Sequence, residues 1–384
     1  MNWTDIDMDG DLDLFVTNES TSSNNENLYR NDGNGLFTKI TTGDLVNDGR
    51  KTMSSSWADF DNDGDLDVFL ANENSTNGLF RNDGNFIFTK LIADTICKIT
   101  AHSFSGAWSD VDNDGDQDLF VTNSFLSNTK LPCFFYLNNG NSTFTRVANH
   151  ALTTDSAWTY GCAFGDYDND GFEDLAVATC RFQGIDKPDF LYHNDGNTNS
   201  WMTLKLIGTT TNKSAIGTKV RLKANINGIP VWQMRELSAQ SSYCGQNDLR
   251  AHFGLGNSNL IDSIKIEWLS GLIEYYDSIP VNQMMSITEG QGIIGIPTLV
   301  KKDESIIFPN PNKGNLTLSN VNLNKGDVIL ITSETGDTLS KLLIDEPTSQ
   351  LEIDLRKHGI TASGNYILSI RSKNRIVSKK IIKL

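Results

Sequence analysis

The side chains that usually announce catalysis or covalent bracing are scarce in this chain. Five cysteines in 384 residues (Cys97, Cys133, Cys162, Cys180, Cys244) are too few for a disulfide framework and lack any zinc spacing. The five histidines (His102, His150, His193, His252, His358) are scattered and form no ligand pair. There is no G-x-S-x-G elbow and no P-loop. Residues 290–295, GQGIIG, fit G-x-G-x-x-G, but Pro297 follows and no helix is expected to carry a pyrophosphate. No run of about eighteen apolar residues exists, so no transmembrane helix is expected. No secretory signal opens the chain at Met1. Basic residues are few in one half only. Residues 1–200 carry 11 Lys+Arg against 32 Asp+Glu, a net of −21, while residues 201–384 carry 21 against 16. The first half would repel phosphates, which argues against nucleic acid as a partner.

What is present is one acidic loop written four times. Residues 5–13 read DIDMDGDLD, 59–67 DFDNDGDLD, 110–118 DVDNDGDQD and 166–174 DYDNDGFED. We number these loops 1 to 4 and their positions 1 to 9. Their starts lie 54, 51 and 56 residues apart, a period that fits one four-stranded propeller blade per copy. Twenty of the 32 acidic residues sit in these loops, a crowding that repels itself without a counter-ion.

Short carboxylates on alternate positions with a glycine at position 6 describe an oxygen-only site for Ca²⁺. The candidate ligands are Asp5, Asp7, Asp9, Asp11 and Asp13 in loop 1; Asp59, Asp61, Asp63, Asp65 and Asp67 in loop 2; Asp110, Asp112, Asp114, Asp116 and Asp118 in loop 3; and Asp166, Asp168, Asp170, Phe172 and Asp174 in loop 4. Position 7 changes from Asp to Phe172, so the donor expected there is the backbone carbonyl. An EF-hand is excluded, because it needs Glu at position 12 and this chain has Val16, Leu70, Val121 and Val177 in strand-like runs. Four solvated acidic turns are the alternative, disfavoured by the shared glycine phase. Four structural ions at millimolar Ca²⁺ would stabilise the fold by about 1 kcal/mol per site.

Each copy carries a second signature roughly 25 residues on. It appears as LYRNDGNGLF (28–37), LFRNDGNFIF (79–88), YLNNGNSTF (136–144) and LYHNDGN (191–197). An Asn/Asp-Gly pair between apolar runs predicts a hairpin with a type I′ turn. Each unit is therefore expected as strand, acidic loop, strand, connection, strand, turn, strand. Trp3, Trp57, Trp108 and Phe164, two residues before each loop, are expected to pack between blades. Residues 1–199 resemble tandem FG-GAP/VCBS repeats, the blades of integrin-α-type propellers, whose D-x-D-x-D-G-x-x-D loop matches position by position. The resemblance implies an all-β propeller of seven blades, of which four are visible. The chain starts two residues into a strand, so further blades and a signal peptide are expected upstream of it; a closed four-bladed ring is the alternative.

The acidic repeats stop at Trp201. Alternating runs across residues 201–290 predict half-buried strands and a β-sandwich. The phrases AIGTKV (215–220), HFGLG (252–256), IKIEWLSG (264–271) and VNQMMSITEG (281–290) make residues 200–292 resemble an ASPIC/UnbV domain. Residues 293–305 read as a linker. Residues 306–384 open with IIFPNPNKGN and end with GNYILSIR (364–371) and VSKKIIKL (377–384). They resemble the type A C-terminal sorting domain of the Bacteroidetes type IX secretion system, with Phe308 where Tyr is usual, and an Ig-like β fold is implied. The machinery of that system is then an expected partner, and the location is secreted or attached at the outer surface.

No catalytic constellation is visible. The expected function is an exported, calcium-stabilised binding or adhesion protein with a glycan or extracellular protein ligand; the alternative is a polysaccharide-active enzyme or its accessory subunit. Residues 18–27 and 122–131 are the loops expected to carry specificity. Cys162 and Cys180 flank loop 4, and a cross-strand disulfide between them is one expectation, two free thiols the other.

Overall fold

In a computed structural model, residues 1–19, 25–126, 129–155, 157–180, 187–293, 306–333, 338–372 and 375–384 are described. The linker beyond residue 293 and parts of both expected specificity loops lie outside these. The chain divides into two compact units, Met1–Gly295 and Ile296–Leu384. The acidic repeats and the segment after Trp201 thus share one unit.

Four antiparallel sheets follow the repeats, each pairing its strands in chain order. The first holds Asn2–Thr4, Asp13–Val16, Asn27–Asn31 and Phe37–Ile40. The second holds Thr52–Ala58, Asp67–Asn72, Gly78–Asn82 and Phe88–Lys90, and the third Ser103–Ser109, Asp118–Asn123, Phe134–Asn138 and Phe144–Val147. The fourth has three strands, Thr159–Gly165, Asp174–Thr179 and Phe190–Tyr192. The expected fourth strand is missing there, because after Tyr192 the chain leaves for Ser200–Ile207 of another sheet. In every repeat the acidic loop links the first two strands, closed by the pairs Thr4–Asp13, Ala58–Asp67, Ser109–Asp118 and Gly165–Asp174.

The hairpins differ from the expected type I′ turns. Asn31 pairs with Phe37 and Asn82 with Phe88, which leaves five residues in the loop. Positive φ falls on Gly33, Asn34 and Gly35, not on Asp32. Asn31 sets this geometry, since its side-chain oxygen accepts the Gly33 N–H at 3.0 Å. Asn82, Asn138 and Asn194 repeat the contact with Gly84, Gly140 and Gly196.

Apolar side chains fill the space between neighbouring sheets. Ile6, Phe15 and Leu28 meet Val68, Leu70 and Phe80; Phe60, Phe69 and Leu79 meet Trp108 and Leu119; Phe120 and Phe135 meet Phe164 and Leu175. Trp57 lies edge-on to Phe15 at 5.4 Å and Trp108 stacks on Phe60 at 5.8 Å, as expected of the aromatic before each loop. Trp3 departs from this: it is 47% exposed and touches Phe37. The inner strands come close together. A Cβ on Gly106 would stand 2.5 Å from the Phe69 ring, which explains the small residues at these positions.

The segment after Trp201 is the expected sandwich. One sheet joins Ala251–Gly256, Ser200–Ile207, Gln283–Thr288 and Gly292–Ile293; the other joins Ile229–Glu236, Lys219–Ile226, Leu260–Glu267 and Ile273–Pro280. Leu204, Leu222, Phe253, Ile264 and Ile287 form its core. Gly292–Ile293 is a strand, so GQGIIG opens no helix there. Glu289 ties its end to the segment's start by accepting the N–H groups of Thr209, Thr210 and Thr211 at 2.7, 2.7 and 2.9 Å.

The second unit packs a three-stranded sheet and a four-stranded sheet around Leu318, Ile329, Ile331, Leu368 and Ile381. Its opening motif holds its final strand: Asn310 accepts the Ile382 N–H at 2.8 Å, and the Asn312 carbonyl accepts the Leu384 N–H at 2.8 Å.

All five cysteines are free thiols. A bulge between Thr159 and Cys162 sets Cys162 opposite Val177, while the Cys180 N–H bonds the Trp158 carbonyl. The expected disulfide does not form, because the two residues are offset in register.

Candidate metal centres

The loops are built around their last aspartate. In loop 1, Asp13 accepts the Ile6 N–H at 3.0 Å with one oxygen and the Asn31 N–H at 2.7 Å with the other. Asp67 takes Phe60 and Asn82, Asp118 takes Val111 and Asn138, and Asp174 takes Tyr167 and Asn194 in the same way. Position 9 therefore clamps the start of each loop to the end of the third strand, or in the fourth repeat to Asn194 just past it. The asparagine it holds reaches further. Asn82 donates to the Ile6 carbonyl at 3.1 Å, Asn138 to Phe60 at 2.7 Å and Asn194 to Val111 at 2.8 Å. Each of these carbonyls belongs to the loop of the preceding sheet, so Asn82, Asn138 and Asn194 fasten neighbouring sheets together, while Asn31 donates to the Leu12 carbonyl of its own loop.

Positions 1, 3 and 9 converge in the first three loops. Donor atoms of Asp5, Asp7 and Asp13, of Asp59, Asp61 and Asp67, and of Asp110, Asp112 and Asp118 lie within 4.8 Å of one another. Loop 4 gathers Asp166, Asp168 and Asp170, and a second overlapping set of Asp168, Asp174 and His193. His193 Nδ1 is 3.1 Å from Asp174. Asp9, Asp63 and Asp114 at position 5 stay outside these groups and instead accept the N–H of position 7 at 2.9 to 3.0 Å. Position-7 side chains enter none of the groups. Asp11 and Asp65 stand apart, Asp116 accepts a bond from Asn62 at 2.7 Å, and Phe172 is buried.

Several carboxylate oxygens in these groups are buried without a hydrogen-bond partner: Asp5 Oδ1, Asp7 Oδ1, Asp61 Oδ1 and both oxygens of Asp59. A buried, unsatisfied carboxylate is costly unless a counter-charge meets it. Burial pushes Asp59 up to about 7, and it raises Asp67, Asp110 and Asp118 far above the usual carboxylate range. Oxygen-only donors on short side chains suit a hard divalent cation such as Ca²⁺, so the residues fit that ion. Positions 1, 3 and 9 would hold it in loops 1 to 3, and it would supply the missing positive charge.

The loops are covered on one side by the sandwich. Between the sheets and the sandwich lies a cavity of about 130 Å³, lined by Trp57, Asp59, Trp108, Glu173, Arg235 and His252 among others. Such a space holds about four waters. Burial, followed by repulsion from Asp248 and Asp166, pushes Glu173 up to about 8. Burial, with Arg235 and Arg250 nearby, takes His252 down to about 3.

Sequence reasoning missed three sets of residues. The clipping asparagines (Asn31, Asn82, Asn138, Asn194) could have been found, because Asn holds the same phase in all four copies. His193 was hidden as a lone histidine, with Arg30, Arg81 and Leu137 in the equivalent places. Glu173, Arg235 and His252 meet only through the tertiary fold and left no local signal.

Family models match most of the chain. FG-GAP-like repeats match residues 5–70, 59–121 and 110–177. The model described as ASPIC and UnbV matches 208–294, and the secretion system C-terminal sorting domain matches 306–384. The chain is an FG-GAP-like repeat protein that carries an ASPIC/UnbV domain and a sorting domain of the type IX secretion system. That last domain marks it as a protein exported to the exterior or the outer surface. Cartilage acidic protein 1 of Xenopus tropicalis is 27% identical over 269 residues, covering 68% of this chain and 40% of that protein. The Mus musculus protein of the same name is 25% identical, covering 72% and 42%. The chain thus spans about two fifths of the length of these relatives. Among solved structures, PorZ, a bacterial surface component of the type-IX secretion system of Porphyromonas gingivalis, aligns at 10% identity over 97% of this chain and 56% of its own, with a TM-score of 0.24.

Proposed function

We propose that this chain is an exported, calcium-stabilised binding protein whose four sheets are consecutive blades of a propeller. Four Ca²⁺ ions in loops 1 to 4 act structurally, with the position-7 carbonyls as further donors. The unpartnered, buried oxygens of Asp5, Asp7, Asp59 and Asp61 carry this reading. Because the sandwich covers the acidic loops, the ligand surface belongs at the opposite ends of the sheets. His102, Phe104, Tyr160 and Tyr243 gather there, with Phe104 4.2 Å from Tyr160 and 5.5 Å from Tyr243. His102 and Phe104 are buried, so the half-buried Tyr160 and Tyr243, the latter reaching in from the segment after Trp201, are the rings left to meet a ligand. Flat aromatic faces beside polar groups suit the apolar faces of sugar rings, so a glycan is the ligand proposed.

Glycan-array binding of the Ca²⁺-loaded chain tests this. Binding that weakens about tenfold or more in Tyr243→Ala, with no release of reducing ends, supports the reading. Release of reducing ends would overturn it in favour of a polysaccharide-active enzyme. Binding only to protein ligands would retain the adhesion role and reject the glycan.

A further inference from the structure

We propose that the ASPIC/UnbV segment is a clamp that recognises the ion-loaded form of the four acidic loops, an inference that rests on the calcium reading above. Each loop is gripped by a different residue of the segment. Lys219 forms an ion pair with Asp5 Oδ2 in loop 1, while Asp5 Oδ1 stays free to face the site. Arg221 donates to the Gly64 carbonyl of loop 2 at 3.1 Å. In loop 3 the Gly254 N–H donates to Asp110 Oδ2 at 3.1 Å, and the Gly256 N–H donates to the Asn113 carbonyl at 2.8 Å. Arg250 donates to the Asp166 carbonyl at 2.6 Å and to Asn169 at 2.8 Å in loop 4.

The grips fall on the same aspartates and turns that would shape the ion sites. Position 4 is in the left-handed region in all four loops, at Met8, Asn62, Asn113 and Asn169, and so is the glycine at position 6. A Cβ on Gly64 would meet Arg221 at 2.7 Å, one on Gly115 would meet Ile226 at 2.7 Å, and one on Gly171 would overlap Trp201 at 1.8 Å. These glycines therefore serve the turn and also admit the clamp. Gly254 answers from the other side, where a Cβ would lie 2.1 Å from Asp110 Oδ2 and 2.4 Å from Asn113 Cα. The HFGLG phrase is in this way the part of the segment that lies on loop 3. His252 adds a bond of 2.7 Å to Asn113.

The physical link is direct. An ion holds the position-1 carboxylates in place from inside, and the clamp binds the outer oxygens of Asp5 and Asp110 and the carbonyls of Gly64, Asn113 and Asp166. Without the ion the crowded carboxylates repel one another, the turns shift and the grips on four loops weaken together. By reciprocity, if the ion strengthens docking of the clamp, the docked clamp strengthens ion binding by the same factor, so losing a grip lowers ion affinity.

The test is hydrogen exchange of the full chain with millimolar Ca²⁺ and with EGTA, alongside Ca²⁺ titration of wild type, Gly254→Ala and Arg250→Met. Exchange at the Gly254 and Gly256 amides should rise by about tenfold or more in EGTA, while Leu222 and Ile264 inside the sandwich hold. Gly254→Ala should weaken the loop-3 ion by about tenfold, and Arg250→Met the loop-4 ion by less. Four ions bound with unchanged exchange at Gly254 and Gly256, and with wild-type affinity in the variants, would overturn the clamp and leave the calcium reading standing. No bound Ca²⁺ at all would overturn the calcium reading and the clamp with it. Should Gly254→Ala fail to fold, the wild-type exchange and Arg250→Met still decide.

Discussion

The repeat sheets and the sandwich that follows share one compact unit but are held together by different means. The sandwich has an ordinary apolar core between two sheets, with its ends tied by one carboxylate, Glu289. The repeat sheets bury apolar side chains as well, yet loops 1 and 2 also bury carboxylate oxygens of Asp5, Asp7, Asp59 and Asp61 that meet no donor. A carboxylate in the sandwich is satisfied by backbone N–H groups of its own segment. In loops 1 and 2 the carboxylates are satisfied only in part, and on the proposed reading a cation supplies the remainder. Stability of the two regions should therefore respond differently to ions, to mutation and to pH.

Removing the ions should have the largest effect, and it should fall on the unit that holds the acidic loops and spare the sorting domain. In EGTA the unit Met1–Gly295 should lose about 4 kcal/mol and melt roughly 10 °C lower, while Ile296–Leu384 melts as before. Scanning calorimetry with and without millimolar Ca²⁺ reads this, and coincident melting under both conditions would reject the metal assignment. The next effect distinguishes two kinds of aspartate within one loop. Asp67→Ala strands the N–H groups of Phe60 and Asn82 and should cost about 2–5 kcal/mol even in EGTA. Asp61→Asn should remove about one bound ion per chain and cost little once Ca²⁺ is absent. Equal losses in EGTA for both variants would mean that position 9 has no separate structural role. Asn138→Ala, which loses the bond from its sheet to the Phe60 carbonyl of the sheet before, should cost about 1–3 kcal/mol by urea denaturation. Wild-type stability there would show that this bond adds nothing to the other contacts between those two sheets.

The smallest effect belongs to the sandwich. Burial raises Glu289, but Ser270 and the N–H groups of Thr211, Thr209 and Thr210 outweigh it and hold its carboxyl down to about 2. A lowered folded-state value means that its stabilisation is present above the usual value of 4.5 and is lost as pH falls through about 2. The stability gap between wild type and Glu289→Gln should close over that range. A gap that stays constant with pH would show that the charge of Glu289 is not what the nest of N–H groups recognises.

Much of this molecule was legible in local sequence. Alternation of apolar residues gave the strands, and the fixed glycine phase located every acidic loop between the first and second strand of its sheet. Trp57, Trp108 and Phe164 packed where their spacing placed them. The position of the loops needed nothing beyond a repeat period, but the division of labour inside them did. Asp13, Asp67, Asp118 and Asp174 looked like further ligands, and each proves also to be the anchor of two N–H groups, one of them 15 to 20 residues away. The hairpins widened because a side chain, Asn31 or its equivalents, captured the turn amide that a type I′ turn would have used differently.

By itself the sequence determined the β class, the four acidic loops, the two segments that follow and the export signal, because each is carried by short-range patterns of charge, polarity and turn residues. Only the tertiary structure decided that the sandwich lies over the loops, that Lys219, Arg221, Arg250 and Gly254 each meet a different loop, and that Cys162 and Cys180 stay apart. Those contacts join residues up to 214 positions distant. Their energies depend on distance and burial in three dimensions, which no local pattern records.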